Sequence, residues 1–150
     1  MTKIEKVLCT GKTRTTASSS DGTSNKHHGR LDIKLSSPGG SHPEYEFAAS
    51  LPHPTAEQLF AGAWSACYSA ALGVVAKQMK VVLPPDLAVE IEVDLGQTGD
   101  AYFLQARLNV SAPGLAHDVA AALAHTAHEI CPYSKATRGN IDVDLNVVTA

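Results

Sequence analysis

The chain has 150 residues, 44% of them hydrophobic, 18% charged and 5% aromatic, and its net charge is −3. This length predicts a single domain spanning 1–150 that buries a core without disulfide or metal staples. The weak acidic balance argues against a nucleic-acid or anionic-membrane partner, and the sequence reads as lacking the roughly 18-residue apolar run of a membrane span.

The N-terminal "MTKIEKVLCT" carries charge but no continuous apolar segment, so it does not read as a secretory signal. A cytoplasmic, reducing setting is the expectation for three cysteines without a signal. There a cysteine pair more often serves catalysis or metal binding than a structural bridge.

Residues 4–10 predict a short strand, with Cys9 on it in a structural role, near neither of the motifs around Cys67 and Cys131. Residues 11–29 are polar and rich in Ser, Thr and Gly, part hairpin and part loop, with His27 and His28 solvated. "RLDIKLS" alternates apolar and polar residues as a strand does. Residues 37–44 read as a loop, and "YEFAA" as a further strand. A long helix is predicted over 55–80. Thr55 is its N-cap, Gln58 completes a capping-box spacing, and Glu57 sits in the first turn where the helix dipole favours negative charge. Its centre is apolar on nearly every face and rich in small residues: Ala61, Gly62, Ala63, Ala66, Ala70 and Gly73. Such a helix is buried all round, either by a partner subunit on one side or by its own sheet.

"LPPD" at 83–86 stops that helix. "LAVEIEVDL" and "AYFLQARLNV" then alternate around the turn "GQTGD", predicting a β-hairpin with Glu90, Glu92 and Asp94 on a solvated face. A second helix spans about 117–131 and ends at Pro132. "IDVDLNVV" closes the chain as a strand. The predicted class is α+β, with antiparallel sheets packed on two helices, one of them central and buried.

Cys67 lies mid-helix in "EQLFAGAWSACYSAA", and Cys131 closes the second helix in "HEICPYSKATRGN". Two readings of Cys67 stay open. A free cysteine packs as a small hydrophobe, or it is a thiol that attacks if a cation reaches it. Cys131 sits where the helix dipole disfavours thiolate, at a boundary where a side chain can move, which suits a resolving thiol better than a first nucleophile. Glu57 and Cys67 are about 15 Å apart along a straight helix. A site containing both needs a bent helix or a second chain. His125, His128 and Cys131 fan over roughly 120° of helix surface, poor for one tetrahedral metal centre.

"PTAEQLFAGAWSACYSAAL" followed, after a hairpin, by "AHEICPYSKATRGNIDVDL" resembles the organic hydroperoxide resistance branch of the Ohr/OsmC superfamily. "GRLDIKLSSPG" matches a third segment of that family, and the resemblance covers nearly the whole chain. It implies an intertwined homodimer with two sites at the interface. It also implies a thiol peroxidase that reduces organic, often fatty-acid, hydroperoxides to alcohols without metal, haem or flavin. Residue by residue, Cys67 matches the peroxidatic cysteine and Cys131 the resolving one, joined by a disulfide on oxidation. Glu57 matches a glutamate that orients a catalytic arginine. A dithiol of the lipoylated-protein type is the implied reductant.

The chain departs from the family at one point. Ser20 stands where the arginine of a GGRDG-like loop is expected. Arg14, Arg30 and Arg138 are the candidate replacements. The rival reading is a small-molecule or lipid-binding dimer of the same fold with weakened peroxidase chemistry.

Overall fold

The computed structural model describes residues 3–16 and 54–150. The strands expected near 30–36 and 45–49, the loop at 37–44, and His27, His28, Ser20 and Arg30 lie outside the described residues.

The described elements are β1 (Lys6–Thr16), α1 (Ala56–Met79), β2 (Ala88–Thr98), β3 (Ala101–Ser111), α2 (His117–Ile130), α3 (Pro132–Thr137) and β4 (Asp142–Val148). The four strands form one sheet in the order β1-β2-β3-β4. β1, β2 and β3 pair antiparallel, but β4 runs parallel to β3, from Gln105 opposite Asp142 to Ser111 opposite Val148. This corrects the expectation of purely antiparallel sheet. The cause is the connection: α2 and α3 fill it and carry the chain back to the end where β3 began, as a parallel pair requires. The α+β class stands.

β1 is longer than its sequence suggested, because Thr13 and Thr15 continue its alternation into the polar segment. Thr13 lies under Gly62, and the Thr15 hydroxyl hydrogen-bonds Ser65. Gly11 lets β1 rest directly on the first turn of α1. A Cβ there would collide with the Gln58 amide nitrogen and with Glu57. The β2–β3 turn is Gly99–Asp100, and Gly99 has φ 58°, a conformation that costs glycine little.

α1 starts as the sequence dictates. The Thr55 hydroxyl accepts from the Gln58 amide at 3.1 Å, and the Gln58 side chain accepts from the Thr55 amide at 3.0 Å. Lys80 ends it in the left-handed conformation. Trp64, Tyr68, Leu72 and Val75 pack onto Val89, Ile91 and Val93 of β2, Leu108 of β3, and Leu123, Ala124 and Ala127 of α2. Among the described residues, nothing fully covers one side of the helix. Ala63, Ala66, Ala70 and Gly73 are exposed along one side, and Val74 is 50% exposed. By length and composition α1 also passes as a membrane span, contrary to the sequence reading. A core helix passes the same test, and eight of its residues are buried.

The outer face of the sheet is less solvated than expected. Asp94 is 2% exposed. Arg107 covers it with a two-pronged grip, Nη1 at 2.6 Å and Nη2 at 2.9 Å, and Gln105 and Thr10 donate to the same carboxylate. Arg107 Nε also meets Glu92 at 2.6 Å, and Lys12 bridges Glu90 and Glu92. Burial alone would push the Asp94 carboxyl up. The donors outweigh it and hold it at about 2.

That value lies below the ordinary aspartate value of about 4 in an unfolded chain. The stabilisation is therefore complete above about pH 4 and is lost as pH falls towards 2. Urea unfolding of the native protein should show this loss across that window. At pH 7, Arg107→Ala, which leaves a buried carboxylate without its cation, should cost about 3 kcal/mol and should flatten the acid dependence.

Candidate active site

The middle of one helix and the junction of two others bring the chemistry together. Cys67 is carried at the middle of α1, between the buried Trp64 one turn before and the buried Tyr68 beside it. Cys131 ends α2, where its amide donates to the Ala127 carbonyl at 2.9 Å. It also begins α3, where its carbonyl accepts from the Lys135 amide at 3.0 Å. Pro132 forces this arrangement. It disfavours helical geometry at the residue before it, and Cys131 duly has φ −60° and ψ 122°. Proline is itself suited to the first helical position, so α3 starts at once.

The turn aims Cys131 Sγ at Cys67 Sγ, 3.4 Å away. Both are free thiols. Cys67 is half-buried, and Cys131 is 0% exposed. The expectation of a Cys131 with room to move is corrected, because α3 folds back against α1 and α2 and seals it in. α3 itself was missed. Its signal was present, a proline in the first helical position followed by "YSKAT", but the proline was read as a stop alone.

The start of α3 is pinned to α1. The Trp64 indole N–H donates to Ser134 Oγ at 3.0 Å, with both groups wholly buried. The Tyr68 hydroxyl donates to the Ala124 carbonyl at 2.7 Å and ties α1 to α2. The Tyr133 amide, in the first turn of α3, donates to the Cys67 sulfur. Burial pushes the Cys67 thiol up, the Tyr133 amide opposes it, and the neighbouring Cys131 adds to the rise. The net direction is upward, so the described surroundings favour the thiol over the thiolate.

The other candidates lie elsewhere. α1 runs unbroken from Ala56 to Met79, which leaves Glu57 about 15 Å from Cys67 along the axis. Glu57 instead faces β1 and meets Cys9. Cys9 was expected to be remote from both motifs. Gly11 removes that distance by seating β1 on the first turn of α1. Burial raises the Cys9 thiol, and the Glu57 carboxylate raises it further. Arg14 is exposed. It alternates with Thr13 and Thr15, so it lies on the sheet face opposite α1. Arg107 is held by Asp94 and Glu92. Arg138 Nη2 donates to the His128 carbonyl at 3.0 Å, fastening the end of α2 after the chain has passed through α3.

Burial lowers the His128 imidazole, with Arg138 contributing, and its Nδ1 has no protein partner among the described residues. Among those residues, no group of three or more His, Cys, Asp or Glu side chains is placed to hold a metal ion. A cavity of about 220 Å³ lies between Leu95, Tyr102, Phe103, Leu104, Asn140 and Ile141. Neither Cys67 nor Cys131 lines it.

Comparison with known proteins identifies the family. The family model for OsmC-like protein matches residues 48–146. An organic hydroperoxide resistance protein of Xanthomonas axonopodis pathovar citri is 35% identical over 150 residues, covering 98% of this chain and 99% of the relative. OhrA of Bacillus subtilis is 34% identical over 117 residues, covering 78% and 80%. Among solved structures, OhrB of Bacillus subtilis superposes with a TM-score of 0.65 at 31% identity, covering 93% of this chain and 98% of that one. The organic hydroperoxide resistance protein of Elizabethkingia anophelis gives 0.66 at 29% identity, covering 98% and 100%. A chain matched by the OsmC-like family model over 48–146, and by an organic hydroperoxide resistance protein over 98% of its length, belongs to the OsmC-like family, in its organic hydroperoxide resistance branch.

Proposed function

We propose that this protein is a two-cysteine peroxidase that reduces organic hydroperoxides to alcohols and so protects against peroxide stress. The observation that carries the reading is the 3.4 Å approach of Cys67 and Cys131 sulfurs. The names of the relatives supply the substrate class. The Cys67 thiolate attacks the distal oxygen of ROOH. The O–O bond breaks, the alkoxide leaves and takes a proton to give ROH, and Cys67 becomes a sulfenic acid. The Cys131 thiolate then attacks that sulfur and displaces hydroxide, which leaves as water. A dithiol reductant of the lipoyl type reopens the disulfide by exchange and is itself oxidised. Sulfur carries every step.

Phe60, two turns before Cys67 on α1, is partly buried and packs edge-on against Trp64 with ring centroids 5.8 Å apart. It gives an apolar approach suited to an alkyl peroxide. Leu72, further along α1, is 1% exposed and belongs to the core.

Cys67→Ser should abolish peroxide turnover, and full activity in that variant would overturn the assignment. Cys131→Ser should still lose one thiol per chain to cumene hydroperoxide but accumulate sulfinic acid at Cys67 by mass spectrometry. A native Cys67 oxidised no faster than free cysteine would favour the ligand-binding reading instead.

The raised Cys67 thiol calls for a cation in the working site. With Arg14, Arg107 and Arg138 placed as above, Arg30 is the remaining arginine of the sequence, and we assign it that part. An opposite charge close to a thiolate is worth one to three pH units. Arg30→Ala should therefore slow the first oxidation at least about tenfold and move the midpoint of its pH profile upward. An unchanged profile removes Arg30 from the site.

We also assign a homodimer, supported by the exposed strip of small residues on α1, which two helices can bring into close contact. Glu57 would then join Cys67 from the second chain, since α1 is unbroken between them and sets them about 15 Å apart. Sedimentation should find a dimer for the native chain and a monomer for Ala66→Arg. A dimeric Ala66→Arg variant would place the interface elsewhere.

A further inference from the structure

The proposed cycle needs Cys131 to reach an oxidised Cys67. From a sulfur separation of 3.4 Å, the pair must close to about 2.05 Å. On its N-terminal side Cys131 is fixed by α2, through the Ala127 carbonyl. On its C-terminal side it is fixed by α3, which has six residues and packs on α1 and α2. A helix of that length has little stability of its own and takes its position from tertiary contacts. Between α3 and α1, the side-chain hydrogen bond found among the described residues is Trp64 Nε1 to Ser134 Oγ, wholly buried. Ser134 stands three residues after Cys131, and Trp64 three residues before Cys67. The bond therefore joins the two cysteine-bearing segments one helical turn from each sulfur.

We infer that Ser134, acting through Trp64, is a positioning residue for the resolving step: it holds the start of α3 so that Cys131 lies on the path to the Cys67 sulfenate. This rests on the peroxidase reading above and refines it. A displacement of about 1 Å in a reacting pair can cost on the order of a hundredfold in rate, so one buried bond at this lever point suffices to set the balance between resolution and overoxidation. A buried indole N–H seeks an acceptor. Ser134→Ala removes it, and α3 is then free to shift until the indole finds another. The Tyr133 amide rides on the same turn, so the first oxidation slows as well. It slows less, because the peroxide arrives by diffusion and not from α3.

The measured quantity is a ratio. Rapid mixing of the full-length protein with cumene hydroperoxide, quenched with dimedone and read by mass spectrometry, gives the rate of sulfenate formation and the rate of disulfide formation. The native ratio of resolution to oxidation should fall about tenfold or more in Ser134→Ala, with sulfinic acid appearing at lower peroxide dose. Ser134→Thr, which keeps the hydroxyl, should restore the ratio. Trp64→Phe removes the donor from the other side and should give the same fall. Adding Ser134→Ala to Trp64→Phe should change it little further.

Loss of fold alone would lower both rates together and leave the ratio in place. A native ratio in Ser134→Ala and Trp64→Phe overturns the inference while the peroxidase reading stands. A full additional fall in the double variant also overturns it, since Ser134 would then act by another route. Failure of the native protein to form any Cys67 sulfenate overturns both.

Discussion

Pro132 permits one backbone geometry at Cys131, and much of the site depends on it. The residue before a proline is kept out of the helical region, while the proline itself favours starting a helix. Cys131 must therefore end α2 and begin α3 within a single residue. That turn buries its thiol, aims it at Cys67, places the Tyr133 amide against the same sulfur, and brings Ser134 under Trp64. Without the turn, Cys67 would be one more small apolar residue on a core helix.

The site also holds a tension. A half-buried thiol beside a second thiol is pushed up, whereas peroxide chemistry needs thiolate. Glu57 is on the same helix yet too far along it, and it meets Cys9 and the backbone near Gly11 instead. On the proposed reading, one chain brings the two sulfurs together but leaves the cation and Glu57 away from Cys67. The division matches the sequence, which keeps CPYS intact and has Ser20 where an arginine is expected.

The elements legible in the sequence were those whose signals are local. Thr55 and Gln58 announce the start of α1, and the strict alternation of 87–95 and 101–110 announces the hairpin. The motifs around Cys67 and Cys131 announced the family. What stayed hidden depends on contacts between distant segments. Asp94 looked solvated because alternation gives a face but not what covers it, and Arg107, Gln105 and Thr10 come from two other strands. The closeness of Cys9 to Glu57 follows from a glycine two residues further on that lets a strand lie on a helix. The direction of β4 was missed because alternation is the same in parallel and antiparallel strands. α3 was missed because a proline reads equally as an end or a beginning.

The two sulfurs that touch are 64 residues apart in the chain. Their meeting spans α1, the hairpin and α2, so it exists after those elements have assembled and not before. An unfolded chain presents the same thiols at low mutual concentration and has little tendency to pair them. Once they are joined, the closed loop removes conformational freedom from the unfolded state, by about 4 kcal/mol for a loop of this length. Oxidation by substrate would thus alter more than the sulfur chemistry. Each turnover would carry the chain through a form that is harder to unfold, and the reductant would return it to the more labile one.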